Sequence, residues 1–192
     1  MGDLLVITGL SGAGRSEFAR HLEDLGWFVI DRLPPDIMVK VADLARGPES
    51  RWDRVAFVAR ADITKGETLR SVEQLRGIVE RLRLVFLDCS TEALVRRYEG
   101  SRRPHPYPGA TGIEEGIEAE RQLMAPLRSA ADLVVDTSEL NVHGLRDMVA
   151  QLYGEVGDRP LRTSITSFGF KHGLPRDADV VFDCRFLPNP HW

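Results

Sequence analysis

Apolar residues in this chain follow two spacings that alternate along its length. Continuous runs, "DLLVITG", "WFVID", "RVAFVA", "LRLVFLD" and "ADLVVDTS", read as strands buried on both faces, as in a parallel sheet. Between them apolar residues recur every three or four positions and predict helices. The first carries Phe18, Leu22 and Leu25 and stops at Gly26; the second, "PPDIMVKVADLAR", opens on proline and closes at Gly47. Glu67 to Arg81 and "TEALVRRY" follow. Another starts at Ile113 with Ile117, Met124 and Leu127 on one face and Pro126 marking a kink or its end; the last carries Val142, Leu145, Val149 and Leu152. This alternation predicts an α/β fold with a five-stranded, mostly parallel sheet flanked by helices and joined by right-handed crossovers.

Two stretches break the pattern. "GSRRPHPYPGAT", from Gly100 to Thr111, is rich in proline, glycine and arginine and predicts a mobile basic loop. "GEVGDRP", residues 154–160, reads as a linker that ends a first domain over residues 1–153. Beyond it "LRTSITSFGF" and "DADVVFDCRF" are strand-like, so residues 161–192 predict the first strands of a second, truncated domain belonging to a longer protein.

The chemistry concentrates in "TGLSGAGRS", Thr8 to Ser16. Gly9, Leu10, Ser11, Gly12, Ala13, Gly14, Arg15 and Ser16 match the phosphate loop G-x-x-x-x-G-K-[ST], except that Arg15 stands in the lysine position. Glycines let the backbone turn its N–H groups into a concavity, and the following helix adds the positive end of its dipole. Ser16 is placed to offer its hydroxyl to a nucleotide-bound Mg²⁺. Arg15 keeps the charge but replaces a compact ammonium with a planar fork, which favours retained binding over retained turnover. The bland alternative is a tight strand-to-helix turn.

Asp88 closes "LRLVFLD" and is the expected metal-side acid, with Asp31 and Asp136 as weaker candidates at other strand ends. Its alternative is helix capping together with Ser90 and Thr91. Arg96, Arg97, Arg102 and Arg103 read either as a lid over phosphates or as a solvated basic face, and His105 as a loop residue.

Composition narrows the class. With 43% hydrophobic and 28% charged residues the chain is an ordinary globular protein, and a net charge of −4 argues against nucleic-acid binding through its overall field. Cys89 and Cys184 are too few for a disulfide framework, which predicts reduced thiols and a cytoplasmic setting. No apolar run approaches the roughly 20 residues of a membrane span.

"TGLSGAGRS", "LEDLGWFVIDRLP", "LVRRYEGSRRPHP" and above all "SFGFKHGLPRDADVVFDCRFLPNPHW" resemble the RapZ/YvcJ family of nucleotide-binding proteins, whose best-studied member is an RNase adapter. The resemblance implies an N-terminal P-loop domain that binds and slowly hydrolyses ATP and GTP with Mg²⁺. It also implies a C-terminal domain for effector and RNA, with small RNA, a ribonuclease and further copies of the chain as partners, and no membrane. The family's ATP segment falls on Gly9 to Ser16, and its GTP segment on Val58, Ala59, Arg60 and Ala61. The family commonly has Asp-Asn-Leu-Pro where this chain has Asp31, Arg32, Leu33 and Pro34, and aspartate where it has Val58. Two other functions compete with a regulatory NTPase. One is a P-loop small-molecule kinase with Asp31 as base; the other is an RNA-binding adapter that works only at full length.

Overall fold

The structure, a computed structural model, describes residues 2–45, 53–59, 66–101, 112–154, 168–169 and 180–183. In chain order the elements are β1 (Asp3–Gly9), α1 (Arg15–Asp24), β2 (Phe28–Leu33), α2 (Pro35–Ala45), β3 (Arg54–Ala59) and α3 (Glu67–Ile78). They continue with β4 (Leu82–Asp88), α4 (Thr91–Ser101), α5 (Ile113–Ala130), β5 (Leu133–Asp136) and α6 (Val142–Tyr153). Every predicted strand of the first domain and every helix is present.

The sheet has the order β2-β3-β1-β4-β5, and all its pairings are parallel. β1 is therefore central, and Leu4 to Ile7 are no more than 2% exposed because helices cover both faces. α1 packs with α6, while α2, α3 and α5 form a second layer that α4 joins through α5. Phe18, Phe57 and Phe86 are buried, each stabilising the fold by about 1.5–3 kcal/mol. The edge strands β2 and β5 are wetter, with Phe28 and Val134 partly exposed.

Boundaries differ from the periodic reading in physical ways. Gly26 stops α1 as expected, its N–H donating to the Glu23 carbonyl and the Trp27 N–H to that of Leu22. α3 ends at Ile78 rather than Arg81, because extended Val79 turns the chain into β4. α5 runs through Pro126 to Ala130 without ending there. β2 extends to Leu33 across an irregularity between Asp31 and Leu33, where Arg32 adopts φ 57°. Gly47 lies outside the described residues.

The chain divides into two units, residues 1–156 and 157–192. In the second, the described residues 168–169 and 180–183 carry no strand assignment. The remaining expected strand residues there lie outside the described residues.

Candidate functional site

The glycine loop leaves the C-terminal end of the central strand, where ligands of open α/β sheets gather. Gly9 has φ 141°, and a Cβ there would stand 2.2 Å from the Leu87 carbonyl oxygen of β4. Only glycine fits so close an approach. The Leu10 N–H donates to that same carbonyl at 3.0 Å. At the far end Gly14, with φ 96°, caps α1 without a side chain, so among the described residues no side-chain cap takes the first-turn N–H groups.

Protein donors hold the loop's carbonyls. Thr137 Oγ1 donates to the Ala13 carbonyl at 3.0 Å, and its own N–H donates to the Asp88 carbonyl at 2.9 Å. Arg97 Nη1 donates to the Gly12 carbonyl at 3.0 Å, while Nη2 reaches the Thr137 and Leu140 carbonyls at 2.6 and 3.3 Å. Across a trans peptide the C=O and the next N–H point in opposite directions, so the bond to the Ala13 carbonyl turns the Gly14 N–H away from Thr137, while the Ala13 N–H donates to the Leu10 carbonyl at 3.1 Å. Arg97 is thus a bracket for the loop and not part of a lid, which corrects that half of the pair; Arg96 is exposed.

Arg15 begins α1 and donates from Nη1 to the Ala59 carbonyl at 3.1 Å. Burial lowers its pKa, while electrostatic interaction with Glu120, Tyr98 and Asp31 acts in the opposite direction; a guanidinium stays charged at neutral pH. Ser16, in the next position, is exposed. Val58 and Ala59 are sheet-core residues, 4% and 0% exposed, so Ala59 meets the site through its carbonyl. Arg60, Ala61, Arg102 and Arg103 lie outside the described residues.

A carboxylate from α5 closes the arrangement. Glu120, 5% exposed, accepts from the Ser11 N–H at 3.0 Å on Oε2 and from the Ser11 hydroxyl at 2.7 Å on Oε1. The Tyr98 ring lies against Gly12, 3.3 Å from where a Cβ would be. Burial first, and the Glu120 charge second, push the Tyr98 hydroxyl up to about 12.

Asp88 does not stand as a free metal-side acid. Its Oδ1 accepts from Arg121 Nη1 at 2.9 Å and from the Cys89 N–H at 2.8 Å, and its Oδ2 from Arg128 Nε at 2.7 Å. Its charge is shared with two guanidinium partners, which weakens its pull on a cation. Of the capping alternative, Ser90 takes the cap of α4, accepting from the Ala93 N–H at 3.2 Å, while Asp88 itself accepts from the Cys89 N–H just before that helix. Asp136 accepts from the Ser138 N–H and hydroxyl, and these bonds lower its pKa. Asp31 remains half-exposed beside Arg32, at 3.8 Å.

Among the described residues no cluster of three or more His, Cys, Asp or Glu side chains could hold a metal ion. That is compatible with Mg²⁺ bound largely through phosphate oxygens and water, for which the exposed Ser16 hydroxyl is a fitting protein ligand. Cys89 is a buried free thiol, and no described helix is long and apolar enough to cross a membrane.

Periodicity alone missed Glu120, Tyr98, Thr137, Arg121 and Arg128. Glu120 had a legible signal: it stands in the buried stripe Ile117, Glu120, Met124, Leu127 of α5, at the 3-4-3 spacing of a core face. A carboxylate in such a stripe needs a buried donor, and the loop supplies one.

Residues 2–156 match the family model of the RapZ-like N-terminal domain, and residues 161–192 that of the RapZ C-terminal domain. A nucleotide-binding protein of Thermobifida fusca is 49% identical over 192 residues, covering 99% of this chain and 65% of the relative. A nucleotide-binding protein of Mycobacterium tuberculosis is 46% identical over 194 residues, covering 99% of this chain and 64% of the relative. The chain thus spans just under two thirds of the length of these relatives. Among solved structures, shikimate kinase from Acinetobacter baumannii in complex with shikimate superposes with a TM-score of 0.54 at 20% identity, covering 79% of this chain and 91% of that one. The likeness shows a fold shared with P-loop kinases.

Proposed function

The chain belongs to the RapZ family, and from that premise we propose that it binds the magnesium complex of ATP or GTP at Gly9–Ser16, hydrolyses it slowly and serves as a regulatory switch. One observation carries this reading. Between the central strand and α1 lies a glycine loop whose Gly12 and Ala13 carbonyls are tied to Arg97 and Thr137, and whose helix starts without a side-chain cap. Free N–H groups at a helix start, with carbonyls turned elsewhere, are what a phosphate chain requires.

In this reading Ser16 holds Mg²⁺, which supplies charge neutralisation on the phosphates when bound. Arg15 places a cation at the loop. Its bond to the Ala59 carbonyl and its buried surroundings restrict how far it follows charge onto a transferring phosphoryl group, which accounts for slow turnover. Arg102 and Arg103 contribute positive charge from the basic segment, and Val58 to Ala61 contribute main-chain contacts to the nucleotide. Asp88 acts at one remove, as the anchor of Arg121 and Arg128 rather than as a metal ligand.

Binding of small RNA and a ribonuclease, and assembly with further copies, belong to the full-length protein in this proposal. A kinase activity is the second reading, favoured by half-exposed Asp31, whose charge acts on Arg15. Calorimetry with MgATP and MgGTP tests the first reading. Wild type binds, and Gly14→Val and Ser16→Ala weaken binding at least tenfold. Absence of binding, or binding untouched by both variants, overturns it. Phosphate release without any phosphorylated acceptor separates hydrolysis from kinase chemistry.

A further inference from the structure

Glu120 is a buried negative charge set on the loop that the proposed function gives to phosphates. It reaches the loop from α5, 109 residues away in sequence, and its two oxygens take both donors of Ser11, the N–H at 3.0 Å and the hydroxyl at 2.7 Å. The same carboxylate acts electrostatically on Arg15 and Tyr98. The proposed function gives this carboxylate no role. An anion arriving at the loop meets a charge of its own sign, and that sign counts more where water is scarce.

We propose that Glu120 is an internal latch, a carboxylate that takes the Ser11 donors in the nucleotide-free protein and that polyphosphate must displace. The inference rests on the reading of Gly9–Ser16 as a phosphate site. It assigns the loop a built-in competitor, so affinity is set by the difference between two anions on one set of donors. It also gives phosphate binding a mechanical outlet. α5 carries Glu120 next to Arg121, and Arg121 and Arg128 hold Asp88 at the end of β4, so release of Glu120 is felt by the helix that follows the basic segment in sequence.

The decisive substitution is Glu120→Gln. It is isosteric and uncharged, and its amide can accept from the Ser11 N–H while donating to the Ser11 hydroxyl, which turns to accept. The test is calorimetric titration of the 192-residue chain with MgATP and with inorganic tripolyphosphate, which lacks base and sugar. The latch predicts that Glu120→Gln binds both probes about tenfold more tightly than wild type, a typical size for coupling between two sites. Ser11→Ala removes one of the two latch bonds and keeps the carboxylate; it is expected to tighten both probes about threefold, and serves as the reading if Glu120→Gln does not fold. A merely structural role for Glu120 would weaken or leave unchanged the binding of both probes, and either result overturns the latch. Equal affinities in wild type and variants overturn the latch while leaving the phosphate site intact. No binding by any of them overturns the phosphate reading and the latch with it.

Discussion

Two strand ends carry aspartates that look equivalent along the chain, and the protein treats them differently. Asp88 closes β4, next to the central strand; it is 14% exposed and held by Arg121, Arg128 and the Cys89 N–H. Asp31 sits near the end of the edge strand β2; it is 45% exposed and faces Arg32 at 3.8 Å, where the backbone turns left-handed. Near the centre of the sheet a carboxylate is covered by α5 and is matched by donors of the protein. At the edge water does that work, and the group is left available. Position in the sheet, and not residue type, separates architecture from accessible chemistry.

The sharpest way to break the central node is Gly9→Ala. The new methyl would meet the Leu87 carbonyl at 2.2 Å in a backbone conformation that alanine avoids, and both costs fall on the β1–β4 pairing. A loss of about 3–5 kcal/mol is expected, read as a fall in Tm of roughly 10 °C or more. An equally stable variant would mean that β1 and β4 do not approach as closely as described.

The two aspartates then test the comparison directly. Asp88→Asn leaves Arg121 and Arg128 without their counter-charge and is expected to cost about 2 kcal/mol in urea unfolding, less than for a fully buried pair because Arg128 is half-exposed. Asp31→Asn should change stability by no more than about 0.5 kcal/mol. Equal effects would erase the distinction between centre and edge.

The smallest effect concerns Arg32. Its φ of 57° is costly for arginine, and among the described residues its side chain, 84% exposed, makes only the long pair with Asp31. Asparagine tolerates this conformation, so Arg32→Asn should stabilise the protein by about 0.5 kcal/mol in the same unfolding assay. The resemblance to a family that commonly carries asparagine here thus acquires a backbone reason. A loss of stability would point to a contact that the Arg32 side chain makes and the shorter asparagine cannot.

Much of this was legible beforehand. Runs such as "LRLVFLD" and stripes such as Phe18–Leu22–Leu25 located strands and helices, because burial on two faces and burial on one leave different periods. The phosphate loop was legible as well, since glycines with positive φ are demanded by local backbone geometry. The arginines were not. "VRRYEGSRRP" looks like one basic cluster, yet Arg97 is spent on the carbonyls of Gly12, Thr137 and Leu140, a use that depends on chain 40 and more residues away.

By itself, then, the sequence determined what is local: the period of each element, the turn at Gly26, the loop between β1 and α1, and the family to which these motifs belong. Tertiary structure alone decided the partners. It set the strand order β2-β3-β1-β4-β5, and it closed Asp88 between Arg121 and Arg128. It also seated Glu120 on Ser11 across 109 residues. The physical reason is range. Dihedral preference and hydrophobic period act within a few residues, whereas a charge or a hydrogen-bond donor is defined by whatever the fold brings within about 3 Å of it.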